Sequence, residues 1–220
     1  MAAENILKGF RGYLQTDGYA AYKKPGMQEG VTHLACWAHA RREFYDAQSN
    51  DSKRAGEALQ FIQKLYEVER EAREKGLDPA GIKKLRLDRS LPVINSMSKW
   101  IKEQLQDRNV MPNSAIGKAL RYSAERWAEL SNYLYDGRLE IDNNLVENAI
   151  RPVALGRKNY LFAGSHSAAK RAAMVYSFFA ICKKHGVNPY EWLKHTLQNI
   201  MSINHKDIKS LYPQNFKPDM

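Results

Sequence analysis

The chain has 220 residues and a mass of 25.3 kDa, enough for one large domain or two small ones around a buried core. Hydrophobic residues at 44% and charged residues at 26% exclude a disordered or collagen-like chain. With 34 Lys/Arg against 24 Asp/Glu the net charge is +10, which points to a polyanionic partner, nucleic acid before an anionic membrane surface. No apolar run approaches the roughly 20 residues that a bilayer crossing needs. The opening MAAENILKGFRG lacks the apolar core of a signal peptide, and two cysteines, Cys36 and Cys182, cannot build a disulfide framework. The expectation is a cytoplasmic protein.

The first 40 residues carry the strand signals. GYLQTDGY ends a β-compatible run in a D-G turn, which puts Asp17 at the C-terminal edge of a strand. VTHLACW then alternates Val31, His33, Ala35 and Trp37 against Thr32, Leu34 and Cys36, the period-2 pattern of a second strand. ARREFYDA reads as the first turns of a helix. From about residue 51 the period lengthens. Ala55, Leu59, Ile62 and Tyr66, widened by Ala58 and Leu65, form an apolar stripe at helical spacing. Ile94, Met97, Ile101 and Leu105 repeat it, as do Ile116, Leu120, Trp127, Leu130 and Leu134. Residues 51–135 therefore read as a block of three or four helices, with NSA (113–115) as an N-cap signal.

Beyond DGRLEIDNN another helix begins, capped by Asp142 or Asn143, and Pro152 must start, kink or end a helix. SAAKRAAMVYSFFAICKKHG is a helix stopped at Gly186, in which Met174, Tyr176, Phe178, Phe179 and Ile181 read as core. VNPYEWLKHTLQNI is a further helix, and the tail from Ser202 reads as loosely ordered. Two strands alone make no stable sheet of useful size. Either the fold is almost wholly helical with a marginal hairpin, or the strands are the later part of a larger sheet.

Chemistry concentrates in IDNNLVENAIRPVALGRKNYLFAGS, residues 141–165. On a helix Glu147 and Arg151 share a face, and one of Asn143 and Asn144 joins them. A carboxylate beside an amide and a guanidinium suits a metal ion held near a phosphate; a capped helix with a surface ion pair accounts for the same spacing. Asp17 taken alone reads as a turn residue. The basic excess is late: residues 151–220 hold 11 Lys/Arg against 3 Asp/Glu. Arg157, Lys158, Lys170 and Arg171 flank LFAGSHS, where backbone amides and cations could cradle a phosphate, or simply form a solvated face.

LQTDGYAAY, CWAHARREF and LEIDNNLVENAIRPVALGRKNYLFAGS, in this order, resemble the catalytic domain of insertion-sequence-66 family transposases, and the resemblance covers nearly the whole chain. It implies a DDE enzyme: an RNase H-like fold in which three acids hold two divalent metals, Mg2+ or Mn2+, for phosphoryl transfer at DNA ends. By that resemblance Asp17 matches the second acid and Glu147 the third, both as metal ligands and catalytic residues. The first acid has no matching position, since Asp46, Asp51 and Asp142 do not follow the required first strand. The missing strands are expected upstream of residue 1, and the chain alone is expected to be inactive. A Cys-x-x-His such as Cys36–His39 resembles a DNA-proximal motif of other DDE families. As zinc ligands the pair would still need two more. Cys36 and Trp37 read as core, whereas Arg41 and Arg42 read as exposed and facing phosphate. Expected DNA contacts are thus His39, Arg41, Arg42, Asn144, Arg151, Arg157, Lys158, Lys170 and Arg171.

The resulting expectation is an α+β, mostly helical chain, an incomplete RNase H-like fold with an all-helical insertion and C-terminal helices. Residues 1–50 would supply later strands and the first helix, 51–135 the insertion, 136–201 the catalytic helix and C-terminal helices, and 202–220 a tail. Partners would be DNA (element ends and target) and another transposase protomer, in a cytoplasmic, nucleoid-associated setting. The competing reading is a non-catalytic remnant that binds DNA or pairs with an intact transposase. A helix-turn-helix regulator would need an isolated basic recognition helix, and none stands out.

Overall fold

The computed structural model describes residues 2–217, with side chains from Glu4 onward. A short helix α1 (Ala2–Ile6) leads into strand β1 (Gly12–Gln15); helix α2 (Lys23–Gly26) then separates it from β2 (Val31–Leu34). The strands pair in parallel, Gly12 opposite Val31 and Gln15 opposite Leu34, so they are not the two arms of a hairpin. A parallel pair cannot close through a tight turn and here is bridged by α2 and its flanking turns.

Helix α3 (Trp37–Asp46) follows, then α4 (Ser52–Glu74), α5 (Pro79–Leu85), a π-helical segment (Arg86–Ser90), α6 (Leu91–Gln106), α7 (Ala115–Glu125) and α8 (Trp127–Ser131). The block is more finely divided than its periodicity predicts, because the apolar stripe continues across breaks that only capping reveals. Asp51, Asp78 and Ser114 each accept a bond from a backbone amide three residues on and so start α4, α5 and α7. The stripes meet as expected: Ala55, Ala58, Ile62 and Leu65 of α4, Ile94, Met97 and Ile101 of α6, and Ile116, Ala119 and Leu120 of α7 are buried in one cluster with Trp37, Ala40 and Phe44 of α3. Residues 1–50 and the helical block therefore share a core.

Beside that core lies a buried ion pair between Arg86 and Glu69. Arg86 is 2% exposed, and all five of its N–H donors are used. Nε and Nη2 bond the two oxygens of Glu69 at 2.8 and 2.7 Å; Nη1 reaches the carbonyls of Tyr133 and Asp136, and Nη2 also that of Leu139. The guanidinium carbon lies 4.9 Å from the Tyr133 ring centre. The stretch from Tyr133 to Leu139 is thereby tied to the π-helical segment.

The chain divides into two compact units, the first up to Asn144 and the second from Leu145. The second contains most of α9 (Asn144–Tyr160), with α10 (His166–Lys184) and α11 (Pro189–Asn199). Pro152 lies inside α9, which runs through it rather than starting or ending there. Gly186, at φ 67°, stops α10 as expected. The tail, however, is not loose over its described part. Residues His205–Leu211 and Pro213–Asn215 form 3-10 turns, Leu211 and Pro213 are buried, and the Trp192 indole N–H donates to the Leu211 carbonyl at 2.8 Å. The tail packs because Trp192, with Phe178 at 5.3 Å between ring centres, offers it an aromatic surface. Residues 218–220 lie outside the described residues. Of the five α10 residues read as core, Met174 is 55% exposed, and the other four are half-buried.

Candidate functional site

The sequence motifs of the first unit converge in space. The backbone N–H of Thr16 donates to the Leu34 carbonyl at 3.0 Å, which carries the strand pairing one step past β1. Asp17 follows, half-exposed, and its Oδ1 accepts the Tyr19 amide at 2.9 Å in a local turn. Gly18 has φ 88°, and a Cβ there would lie 3.0 Å from the Tyr122 hydroxyl and 3.1 Å from Arg126 Nε. Only glycine lets the turn pass this close. Tyr122 in turn donates to the Asp17 carbonyl at 3.3 Å. A carboxylate is therefore displayed just beyond the C-terminal end of β1.

A strap from Glu140 to Asn144 runs past the same strand end and the start of α3. The Gln15 amide donates to the Glu140 carbonyl (3.0 Å), the Trp37 backbone amide to the Ile141 carbonyl (3.2 Å), and the Asn143 amide to Cys36 Sγ (3.4 Å). Cys36 and Trp37 are fully buried, as expected, and burial pushes the Cys36 thiol pKa up, so it stays a protonated packing group. Asp142 caps the start of α9. Its Oδ1 accepts the Asn144 amide (3.1 Å), and its Oδ2 accepts Asn144 Nδ2 and the Tyr66 hydroxyl (both 2.8 Å). Burial, reinforced by that bond to Asp142, holds the Tyr66 phenol far above its ordinary range. Asp142 is thus a structural acid.

The expected DNA-contact residues fall into two sets. In the first unit Arg41 and Arg42 are exposed on α3 and line, with Asn144, a cavity of about 390 Å3; Ala38, Tyr45 and Tyr66 complete its wall. His39 sits on the same helix, half-buried. In the second unit Glu147 is half-buried in the first turn of α9, and Arg151, Arg157 and Lys158 are exposed farther along it. Lys170 and Arg171 are exposed in the first two turns of α10. The loop before α10 holds Leu161 and Gly164 at positive φ (60° and 74°). Ser165 caps the helix, its Oγ accepting the Ala168 amide at 3.1 Å. That amide is spent on the cap.

Among the described residues no three His, Cys, Asp or Glu side chains cluster as a metal site. Asp17 belongs to the first unit and Glu147 to the second. Ala38, Tyr45 and Tyr66 are the members of the α3 cavity that the sequence reading did not name as contacts. For Tyr45 the signal was present: it follows Ala38, Arg41 and Arg42 on one helical stripe. For Tyr66 it was not, since its partner Asp142 is 76 residues away.

Comparison with known proteins supports the family resemblance seen in the sequence. The family model described as Transposase IS66 family matches residues 1–171, and that described as IS66 C-terminal element matches residues 177–214. The chain is similar to two proteins of Sinorhizobium fredii (strain NBRC 101917 / NGR234). Identity to uncharacterized protein y4qI is 39% over 222 residues, covering 97% of this chain and 40% of that protein. Identity to uncharacterized protein y4jD is 34% over 228 residues, covering 99% of this chain and 43% of that protein. The chain thus spans about two fifths of the length of these curated relatives. No solved structure matches it.

Proposed function

The chain belongs to the IS66 transposase family, and on that premise we propose that it is the later part of a DDE catalytic domain, acting on the DNA ends of a bacterial insertion sequence. The observation that carries this reading is Asp17, a half-exposed carboxylate just past the end of a parallel strand, inside the residues that the family model matches. Glu147, on the first turn of α9, is its counterpart as the third acid. In this reading β1 and β2 are the last strands of an RNase H-like sheet. In the same reading the first strand and first acid lie outside these 220 residues, which span about two fifths of the curated relatives.

Divalent ions in such a site neutralise charge on the phosphate and activate the attacking oxygen. The residues present do not make a complete cage, since the described residues contain no cluster of three potential ligands. No catalytic step is therefore assigned to the 220 residues alone. Their own contribution is to hold DNA: Arg151, Arg157, Lys158, Lys170 and Arg171 in the second unit, and His39, Arg41, Arg42 and Asn144 in the first, meet backbone phosphates.

The test is end cleavage of a labelled element terminus with Mg2+ or Mn2+, and EDTA as control. The 220-residue chain is expected to be inactive, and a version extended upstream active. Asp17→Asn or Glu147→Gln in the longer protein should abolish cleavage with folding retained. EDTA-sensitive cleavage by the 220-residue chain that survives both substitutions would overturn the assignment of these acids.

A further inference from the structure

The cavity between α3 and α4 has a chemistry that duplex binding does not call for. Ala38, Arg41, Arg42 and Tyr45 stand at i, i+3, i+4 and i+7 and so form one stripe of α3. The adjoining stripe, Trp37, Ala40 and Phe44, is buried. The outward stripe is therefore fixed in place by the core behind it. Ala38 is small and leaves space at one end; Tyr45, 56% exposed, stands at the other. Across the gap is Tyr66 of α4, whose hydroxyl is locked onto Asp142, so its ring is a rigid wall. Asn144 closes the rim, with its side-chain amide also held by Asp142.

Charge and size narrow the occupant. Neither Arg41 nor Arg42 forms an ion pair among the described residues, and both are exposed. Asp142 already accepts three hydrogen bonds, which leaves the two guanidiniums as the uncommitted charges of the cavity. At about 390 Å3 the space is at the small end of ligand sites, which run from about 300 to 1,000 Å3. Two cations beside an exposed aromatic face, in a space of that size, match one phosphate and one base. A base inside a duplex is stacked on both sides and has no free face to give.

We propose that this cavity holds one unpaired nucleotide of a DNA strand, its phosphate on Arg41 and Arg42 and its base stacked on Tyr45. The proposal rests on the reading that the chain handles DNA, and it assigns the α3 cavity to single-stranded rather than duplex DNA. Tyr45 supplies the base contact, and Tyr66 and Asn144 set the width of the space.

The 220-residue chain can be tested directly by fluorescence anisotropy, with a labelled oligothymidylate and a duplex of the same length at equal salt. Tyr45→Ala should weaken single-strand binding about tenfold and leave duplex binding unchanged, while Tyr45→Trp should hold or tighten it. Replacing Arg41 and Arg42 by Ala should weaken single-strand binding as well. An oligonucleotide carrying 2-aminopurine should be quenched on binding, and Tyr45→Ala should remove the quenching. Equal, small effects of Tyr45→Ala on both DNAs, or unquenched 2-aminopurine on the bound wild-type chain, would overturn the proposal while duplex binding kept the DNA reading intact. Absence of binding to either DNA at low salt would instead overturn the DNA reading, and this proposal with it.

Discussion

The two units differ in how their helices are held. In the first, α3, α4, α6 and α7 bury facing apolar stripes, and even the charge of Arg86 is fully bonded inside. In the second, α9 buries no residue completely, α10 buries only Cys182 and α11 only Trp192. Net positive charge follows the opposite order, because residues 151–220 hold 11 Lys/Arg against only 3 Asp/Glu. The contrast leaves rigid positioning of the Asp17 turn and the Asp142 strap to the first unit and the larger excess of positive charge to the second, where the proposed reading places most phosphate contacts. Substitutions in each unit should therefore report on different properties.

The largest effect is expected at Arg86. Glu69→Gln or Arg86→Met leaves one buried partner without its counter-charge, which typically costs about 3–5 kcal/mol. Arg86→Met also frees the carbonyls of Tyr133, Asp136 and Leu139, which lead into the Asp142 strap. Hydrogen exchange should show lost protection in α4 and α6, with α10 and α11 little changed. Equal loss in both units would merge what the structure separates.

Trp192 offers the reciprocal test. Its ring lies 5.3 Å from Phe178 and 6.4 Å from Phe179 between centres, and its N–H holds the Leu211 carbonyl. Trp192→Ala should cost about 3 kcal/mol, at the low end for a large buried aromatic. It should release protection in α10, α11 and the 205–215 turns, and leave the first unit's exchange rates as they were. Retained protection of those turns would show that something other than Trp192 orders them.

What could be read in advance follows the range of the interactions. The stripes of α4, α6 and α7 are local patterns, as are the Ser114 cap and the Gly186 stop. The D-G turn that displays Asp17 is local too. Arg86 carried no such signal: its partners lie 17 to 53 residues away, and an arginine between two helices ordinarily faces water. The tail was misread for the same reason, since its polar composition hides the contact of Leu211 with Trp192. The parallel strand pairing was equally non-local, with a connection long enough for either direction. The cluster at the candidate site was half legible. Arg41, Arg42 and Asn144 were named singly, and only the fold shows that they share one cavity with Tyr45 and Tyr66.

A smaller effect, confined to the first unit, is expected with pH. Burial holds the pKa of His33 below its ordinary value of about 6.5, outweighing the nearby Glu129 carboxylate, while Arg126 pushes in the same direction as burial. Its Nε2 lies 2.9 Å from Thr16 Oγ1, and Gly26 packs against the ring, where a Cβ would come within 2.6 Å of Nδ1. The unfolded chain thus binds a proton more readily than the folded one between the lowered value and about 6.5. The stabilising contribution is complete above about pH 6.5 and is lost as pH falls through the folded value. The urea midpoint of the first unit should fall over this window, less steeply in His33→Gln. An identical slope in that variant would assign the pH dependence to other groups.

The smallest effect on stability, and the clearest on function, is expected at Arg157 and Lys158. Both are exposed in the last turn of α9, and exposed charges contribute between nothing and about 1 kcal/mol to folding. Their position near a helix C-terminus is mildly favourable to a cation, so replacement by Ala should lower the thermal midpoint only slightly. DNA affinity responds differently, because each phosphate neutralised by a cation releases counterions. Each contact contributes about 0.9 to the slope of log affinity against log salt on duplex DNA. Replacing both residues should flatten that slope by about 1.8 if each meets one phosphate, and the loss of affinity should be greatest at low salt. Anisotropy titrations at several salt concentrations measure the slope, and circular dichroism confirms the helices. An unchanged slope would move the duplex contacts to Lys170, Arg171 or the first unit, and the division of labour between the units would have to be redrawn.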